Sequence, residues 1–573
     1  MIIPSRRRAA LAAIACTAAT GGALAAIHYH RLGLTLSHYD ARGHLVVARR
    51  VIDSLTPGWQ QIGAVWLPLP HLLNVLPVQV DALYRSGVSA VAISVIAFAV
   101  ATTAIASIVL ALTESAPAAV AGAAVFACNP NVLYLQATPM TEPLMLALTL
   151  TAVAMLMAWC RGDARLTRRA TDENERERAA TDGDHGLDGR ANPDNAKSDR
   201  PATTDRRARL PLGGPRGRQP SVIGLTFALA CLTRYEAWPV TACAILAATW
   251  ACRRAGDPWP EALGRMSAIA RYPAAAVLAF LVFSRIVIGH WFVSGGFFVP
   301  ENKALGDPLL AAAEIWWGTR MLSGPVTLAI AAAGLVVLLA ASFTTRLVAS
   351  ARPAGLGALS LLATAALPWA AFVNGHPFRI RYMVPLLAIE AVGVGVAVGA
   401  VSPFKAGGAG RPGDFRDLAR PLRLVLALFV LIVVAYELHP LDARAPMVVE
   451  AQWEQPNAPL RKTVTCYLRA NYDGTTIMAS MGSLGHYMQE ASRDGFAVRD
   501  FLHEGNGDLW LAALDGPRPF VGWVMIEEKA NGGDMLAKIA RENPRFLDGF
   551  SRVSEGAGLA LYRRQNLKPM VNR

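Results

Sequence analysis

Apolar residues in this chain come in long blocks of Ala, Leu, Val and Ile, separated by short polar stretches. A block of ~20 such residues is long enough to cross a ~30 Å hydrocarbon core as a helix. Spans of that kind fall at about 9–29, 87–112, 117–134, 143–160, 221–235, 237–252, 272–292, 322–342, 354–373, 383–401 and 422–438, about eleven helices. The third and fifth are short, and Pro143 and Pro385 stand near helix starts, where a missing N–H costs little. The expected fold is mainly α, a polytopic transmembrane helical bundle. A transmembrane barrel would show ten-residue alternation instead.

Two segments break the pattern. Residues 161–220 are rich in Arg, Asp, Glu, Gly and Pro, with almost no large apolar residues. Such a segment cannot bury a core and is expected to be a disordered cytoplasmic linker. Residues 402–421, with Gly407, Gly408 and Gly410, read as a shorter linker. From about residue 440 the composition becomes that of a soluble domain. Strands are expected at 475–480, 520–526 and 558–562, and helices at 459–471, 484–492 and 534–542. Strands alternating with helices predict a small α/β domain. The chain therefore divides into a membrane module, 1–438, and an extracytoplasmic α/β domain, 439–573.

Composition supports the membrane reading: of 573 residues, 53% are hydrophobic and 17% charged. A soluble chain carries about a quarter charged residues. Arg6-Arg7-Arg8 before an apolar stretch fits a signal peptide, but the stretch is long and many spans follow, which favours an uncleaved first helix. These arginines hold the N-terminus inside. The loops after the even-numbered helices then carry Arg161, Arg165, Arg168 and Arg169; Arg253 and Arg254; Arg346 and Arg352; and Lys405, Arg411, Arg416, Arg420 and Arg423. Count and charge agree, so the net charge of +13 is largely a topology signal, and dispersal of these charges argues against nucleic-acid binding. An odd helix count leaves the C-terminal domain outside. Of seven cysteines, only Cys466 lies there, so no extracellular disulfide framework is available.

The same count puts four polar clusters at one face of the membrane: His38-Tyr39-Asp40, Thr141-Glu142, Arg234-Tyr235-Glu236 and the stretch from His376 through Arg379 and Arg381 to Tyr382. Ionisable residues beside a bilayer are costly, and four such groups on one side point to a site. The first outer loop, 30–86, is too long for a simple connection. Leu45, Ala48, Ile52 and Leu55 recur at helical spacing, which predicts an amphipathic helix lying on the membrane surface. Asp40 and His44, four apart, share one face of it. The proline-broken run 66–74 cannot span and is expected to dip into the interface.

A carboxylate just past the first transmembrane helix, followed by an interfacial helix, resembles the layout of the GT-C glycosyltransferases. The strings Tyr39-Asp40-Ala-Arg-Gly-His44-Leu, Asp53-Ser-Leu-Thr-Pro-Gly58, Asn129-Pro-Asn131, Thr138-Pro-Met-Thr-Glu142-Pro143 and Leu232-Thr-Arg234-Tyr235 are similar to the branch of bacterial ArnT-like and protein-O-mannosyltransferase-like enzymes. The resemblance covers most of residues 10–400. It implies a polyprenyl-phosphate-linked sugar donor, transfer on the outer face of the inner membrane, and Asp40 as catalytic base. Asp40 lacks the acidic neighbour usual in that loop, which leaves it to rely on His44 or on Glu142.

Residue chemistry agrees with that implication. Transfer to a hydroxyl needs a base for the acceptor's proton, and a lipid phosphate leaving group needs fixed cations. Asp40 and Glu142 are the catalytic candidates. His44, Arg234, Tyr235, Arg379, Arg381 and Tyr382 are the substrate-binding candidates, the guanidinium fork matching phosphate oxygens. Most have a bland alternative: Asp40 in a first helical turn, His44 as an interfacial polar residue, Glu142 beside a Thr141 cap, Arg234 paired with Glu236, and Arg379 and Arg381 snorkelling. Trp291, Trp316 and Trp317 read as interfacial anchors, and His486 and His503 as ordinary surface residues of the outer domain. Asp40, His44 and Glu142 would suit a divalent cation, but no tight ligand spacing appears, so neither a metal nor a cofactor is expected. The acceptor is a lipid, a glycan or a protein. The rival is a lipid-linked sugar flippase, which would place its polar residues near the midplane between repeats.

Overall fold

The computed structural model describes residues 5–161, 218–291, 302–343, 352–400 and 414–565. Most of the expected linker 161–220 and part of 402–421 lie outside the described residues.

Helices dominate. The chain opens with α1 (Ser5–Arg31), then α2 (Tyr39–Arg50), α3 (Leu69–Asn74) and α4 (Asp81–Ser86) in the long segment before the next spanning helix. The helices α5 (Val88–Thr113), α6 (Ala116–Ala127), α7 (Pro130–Leu135) and α8 (Glu142–Arg161) follow. After the insertion come α9 (Arg218–Cys231), α10 (Ala237–Arg254), α11 (Trp259–Ile288), α12 (Pro308–Leu322) and α13 (Pro325–Phe343). Then come α14 (Arg352–Leu359), α15 (Ala366–Val373), α16 (Leu386–Ala400) and α17 (Asp414–Glu437). Among the described residues, 7 helices are long and apolar enough to cross a membrane, fewer than the expected eleven. Every expected stretch falls on helix, but some are too short or too polar to qualify alone. The stretch 117–134, for example, breaks where Asn129 caps α7, its side chain accepting from the Asn131 N–H. The sequence reading missed α12, whose start Asp307 caps by accepting from the Leu309 and Leu310 N–H groups. Trp316 and Trp317, taken as interfacial anchors, are exposed on it.

The bundle centre is α16, a helix of small residues packed against α5, α6 and α13. Its backbone comes so close to α13 that a Cβ on Gly334 or Gly393 would run into a carbonyl of the opposite helix. Small residues let helices approach where no hydrophobic effect drives them together. The helix that follows the stretch 376–382 is thereby pinned at its middle.

The C-terminal part holds α18 (Pro446–Glu450), α19 (Ala458–Asn471), α20 (Met481–Ala491), α21 (Asp508–Asp515) and α22 (Met535–Glu542) around one sheet. Its strands are β1 (Ile477–Ala479), β2 (Phe501–Leu502), β3 (Trp523–Glu527), β4 (Phe550–Gly556) and β5 (Leu559–Arg564), in the order β2-β1-β3-β5-β4. The strands β2, β1 and β3 run parallel, and β5 and β4 complete the sheet antiparallel. Parallel neighbours need crossovers, which explains the helices between them. The expected strands and helices lie on β1, β3, β5, α19, α20 and α22. The sequence reading missed β2, β4 and α21, because β2 is two residues long and β4 alternates only weakly.

Side chains alternate across this sheet, as strand geometry requires. Met478, Leu502, Val524 and Ile526 pack on the side of Trp510 and Leu536. Ile477, Phe501, Trp523 and Met525 pack on the other side with α19 and α20, in one cluster with Leu45, Val46 and Ala48 of α2. The stripe on α2 was expected to lie on the membrane; instead it is buried against the C-terminal domain. Periodicity specifies an apolar face but not what covers it. Ile52 and Leu55 lie past the end of α2 and are exposed. Polar ties reinforce the junction: Arg42 to Glu490 at 2.7 Å, Gln489 to the Tyr84 carbonyl at 3.0 Å, and Asn506 to Ser54 and Thr56 at 3.1 and 3.0 Å. His503, expected at the surface, is fully buried behind this junction. Truncating Leu45 to Ala leaves a cavity there and is expected to cost about 2–5 kcal/mol. A lowered thermal midpoint in detergent checks it.

Candidate active site

The loop after α1 turns sharply and delivers His38 as the N-cap of α2, its Nδ1 accepting the Asp40 N–H at 3.2 Å. Asp40 thus sits in the first turn, where helix N–H groups favour a carboxylate. It is buried, and its Oδ2 meets the Arg381 guanidinium. Burial alone would raise the Asp40 pKa, but Arg381, with His38 and Arg234 behind it, outweighs burial and holds the carboxyl below the usual range. The partner of Asp40 is therefore Arg381, rather than His44 or Glu142.

Arg234 lies in the turn between α9 and α10. It sits 3.0 Å from Glu142, which starts α8 and is fully buried, and donates to Glu236 and to Thr141 Oγ1. Both readings of Arg234 thus coexist: it pairs with Glu236, and its charge also reaches Asp40. Tyr235 turns away, donating its hydroxyl to the Ala64 carbonyl at 3.0 Å and packing with Trp238 and Phe280.

His44 does not touch Asp40. It leans on Trp66, 4.2 Å between ring centroids, and its Nδ1 lies 3.0 Å from His71 Nε2. His71 Nδ1 donates to the Leu67 carbonyl, so its Nε2 accepts from His44. Burial, aided by His71, pushes His44 well below the ordinary imidazole value; burial and the Arg50 charge bring His71 to about 3. Both rings are neutral at pH 7.

Beside Arg381 stand Tyr382, under its guanidinium at 5.2 Å, and His376, edge-on to that ring. Arg379 is half-buried, with its guanidinium 5.7 Å from the Trp453 ring and no carboxylate partner among the described residues. Trp453 is exposed. The C-terminal part adds groups that the sequence reading left out. Glu450 is buried beside His38 and accepts the Ile380 N–H, and His486 lies within the field of Asp40. A carboxylate in an apolar run, Val448-Val449-Glu450, was the available signal for the first; nothing local marked the second. Asp40, Glu142, Arg234, Arg379, Arg381 and Tyr382 thus converge, while His44 on α2 and Tyr235 in the turn between α9 and α10 take other partners. Among the described residues no three His, Cys, Asp or Glu side chains gather as metal ligands.

No family model and no curated protein matches this sequence. The fold is similar to solved structures. The apo oligosaccharyltransferase of Archaeoglobus fulgidus superposes with a TM-score of 0.53 at 11% identity, over 96% of this chain and 74% of that one. A second structure of that enzyme, tethered through a disulfide to an acceptor peptide containing the NVT sequon, matches with a TM-score of 0.48 at 11% identity, over the same shares. The chain therefore has the GT-C fold of a polytopic helical module carrying a C-terminal domain.

Proposed function

We propose that this chain is an integral-membrane glycosyltransferase of the branch resembling ArnT-like and protein-O-mannosyltransferase-like enzymes. It moves a sugar from a polyprenyl-phosphate-linked donor to a hydroxyl of a lipid, glycan or protein acceptor. In this reading residues 1–438 form the membrane module and residues 439–573 a periplasmic domain, with transfer on the outer face of the inner membrane. The observation that carries the reading is Asp40, buried and ionised at a helix N-terminus, with guanidinium groups on its flank and one of them, Arg379, without a carboxylate partner among the described residues. A fold shared with an oligosaccharyltransferase agrees with it.

The chemistry follows from these positions. The acceptor oxygen attacks the anomeric carbon, and the bond from that carbon to the phosphate oxygen breaks. The acceptor proton passes to Asp40. A carboxylate with a lowered pKa is a weak base, so it takes the proton late, once the forming bond has made that oxygen acidic. The departing lipid phosphate carries negative charge. Arg379 meets it, with Arg234 and Arg381 adding positive potential from behind. Glu142 keeps Arg234 in place.

Two results test the parts. Arg379→Ala is expected to raise the donor KM about 10- to 100-fold, the worth of a charged hydrogen bond, and Arg379→Lys to recover part of it. Because Asp40 is held ionised, turnover should persist from pH 7 to 5 and fall only below the ordinary carboxylate range, as Asp40 takes up a proton. The deciding experiment reconstitutes the protein in nanodiscs with a polyprenyl-phosphate sugar and a cell-envelope extract. Release of free polyprenyl phosphate is expected. A flippase moves the donor across the bilayer and releases none, and that outcome removes the reading.

A further inference from the structure

Between α17 and α19 the chain runs as a strap over the site. The Met447 N–H donates to Asn131 Oδ1 at 3.0 Å, and Gln455 Nε2 donates to Ser37 Oγ at 3.2 Å. Glu450, at the end of α18, is 4% exposed. Its two oxygens go to different stretches of chain. Oε2 accepts the Ile380 N–H at 3.0 Å, and Oε1 faces His38 Nε2 at 3.6 Å. Among the described residues neither Oε1 nor His38 Nε2 has a hydrogen-bond partner, and both atoms are buried, facing each other across that gap. His38 uses Nδ1 to accept the Asp40 N–H, which leaves the ring N–H on Nε2, aimed at Glu450.

One carboxylate thereby ties together the two ends of the Asp40–Arg381 contact. His38 caps the helix that carries Asp40, and Ile380 lies between Arg379 and Arg381. We propose that Glu450 and His38 are positioning residues that fix Asp40 and Arg381 against each other through the Ile380 and Asp40 amides. The proposal rests on the reading of Asp40 as the reacting carboxylate. It gives the C-terminal domain a part in the reaction without contact with substrate, since the strap belongs to the segment leading into α19 and the sheet.

The sign of one effect separates positioning from simple electrostatics. The groups facing Asp40 are Arg381, His38 and Arg234, with Tyr39, His376 and His486 around them. Removing a nearby negative charge would, by Coulomb's law alone, make Asp40 easier to ionise and move the acid limb of the rate profile down. Releasing Arg381 from its pinned position makes Asp40 harder to ionise and moves that limb up.

The test uses full-length protein in nanodiscs carrying Glu450→Ala or Glu450→Gln, with two readouts. Hydrogen exchange of peptides over residues 36–42 and 378–384 reports the amides with no need for activity. The pH dependence of transfer reports Asp40. Glu450→Ala is expected to speed exchange at the Ile380 amide at least about tenfold, since a buried donor loses its acceptor. It should also raise the acid limb by about one pH unit and lower kcat more than it changes KM. Glu450→Gln keeps an acceptor for Ile380 and should hold both near the wild-type values. If Glu450→Ala does not fold, His38→Phe keeps the ring volume, removes both nitrogens, and should free the Asp40 amide to exchange at least about tenfold faster, which is then the deciding readout. Unchanged exchange, or an acid limb that moves down, overturns the proposal. Faster exchange in a protein whose wild type transfers no sugar would leave the positioning intact and sink the assignment of Asp40 instead.

Discussion

Asp40→Asn is expected to lower sugar transfer by at least ~10²–10⁴-fold, the usual worth of a positioned proton acceptor. The amide nearly matches the carboxylate in size, and its oxygen still accepts a hydrogen bond from Arg381. It neither takes up the acceptor proton nor neutralises Arg381. Arg381 keeps its place over the Tyr382 ring, and the residue remains packed between α2 and the start of α16. Asp40→Glu supplies the control. It keeps the charge and the pair with Arg381 but advances the carboxylate by about one bond length, enough to misplace a reacting group. Its stability should stay near wild type while its rate falls, which separates loss of chemistry from loss of fold.

Arg381→Ala is expected to have the second large effect, and it acts on stability as well as on rate. Removing one partner of a buried pair leaves the other charge uncompensated and costs about 3–5 kcal/mol. Asp40 has a lowered pKa in the folded protein. Its contribution is therefore fully present above the unfolded carboxylate value of about 3.9, and is lost as pH falls through the folded value. The gap in thermal midpoint between wild type and Arg381→Ala should be wide at pH 7 and close in acid below that range. A gap that stayed constant with pH would mean that Arg381 stabilises by packing alone. Arg381→Lys should restore part of the stability but less of the rate, because a point charge does not reproduce the guanidinium fork.

Much of this architecture was legible in the sequence because the bilayer imposes strong rules. Long apolar blocks marked helices, and basic residues between them suggested which ends share a face. That suffices to place Asp40, Glu142, Arg234 and the stretch 376–382 together. Pairings within the cluster were not legible. Asp40 takes Arg381, some 340 residues away in sequence, rather than His44 four residues on. Helical spacing put Asp40 and His44 on one face, but side-chain direction and the competing pull of Trp66 and His71 decided the contact. The apolar stripe of α2 posed the same difficulty. Leu45 and Ala48 require an apolar cover, and only the folded C-terminal domain reveals that α20 provides it. Nothing near Glu450 in the sequence names its partners, because Ile380 lies 70 residues before it and His38 some 340 residues before that.

A structure of the protein with a polyprenyl-phosphate sugar bound is the most direct measurement. The account expects the donor phosphate within hydrogen-bond reach of Arg379, and the anomeric carbon close enough to Asp40 for an acceptor hydroxyl to lie between them, ~3–3.5 Å from the carbon it attacks. A donor phosphate held away from Arg379, with its sugar out of reach of Asp40, would contradict it.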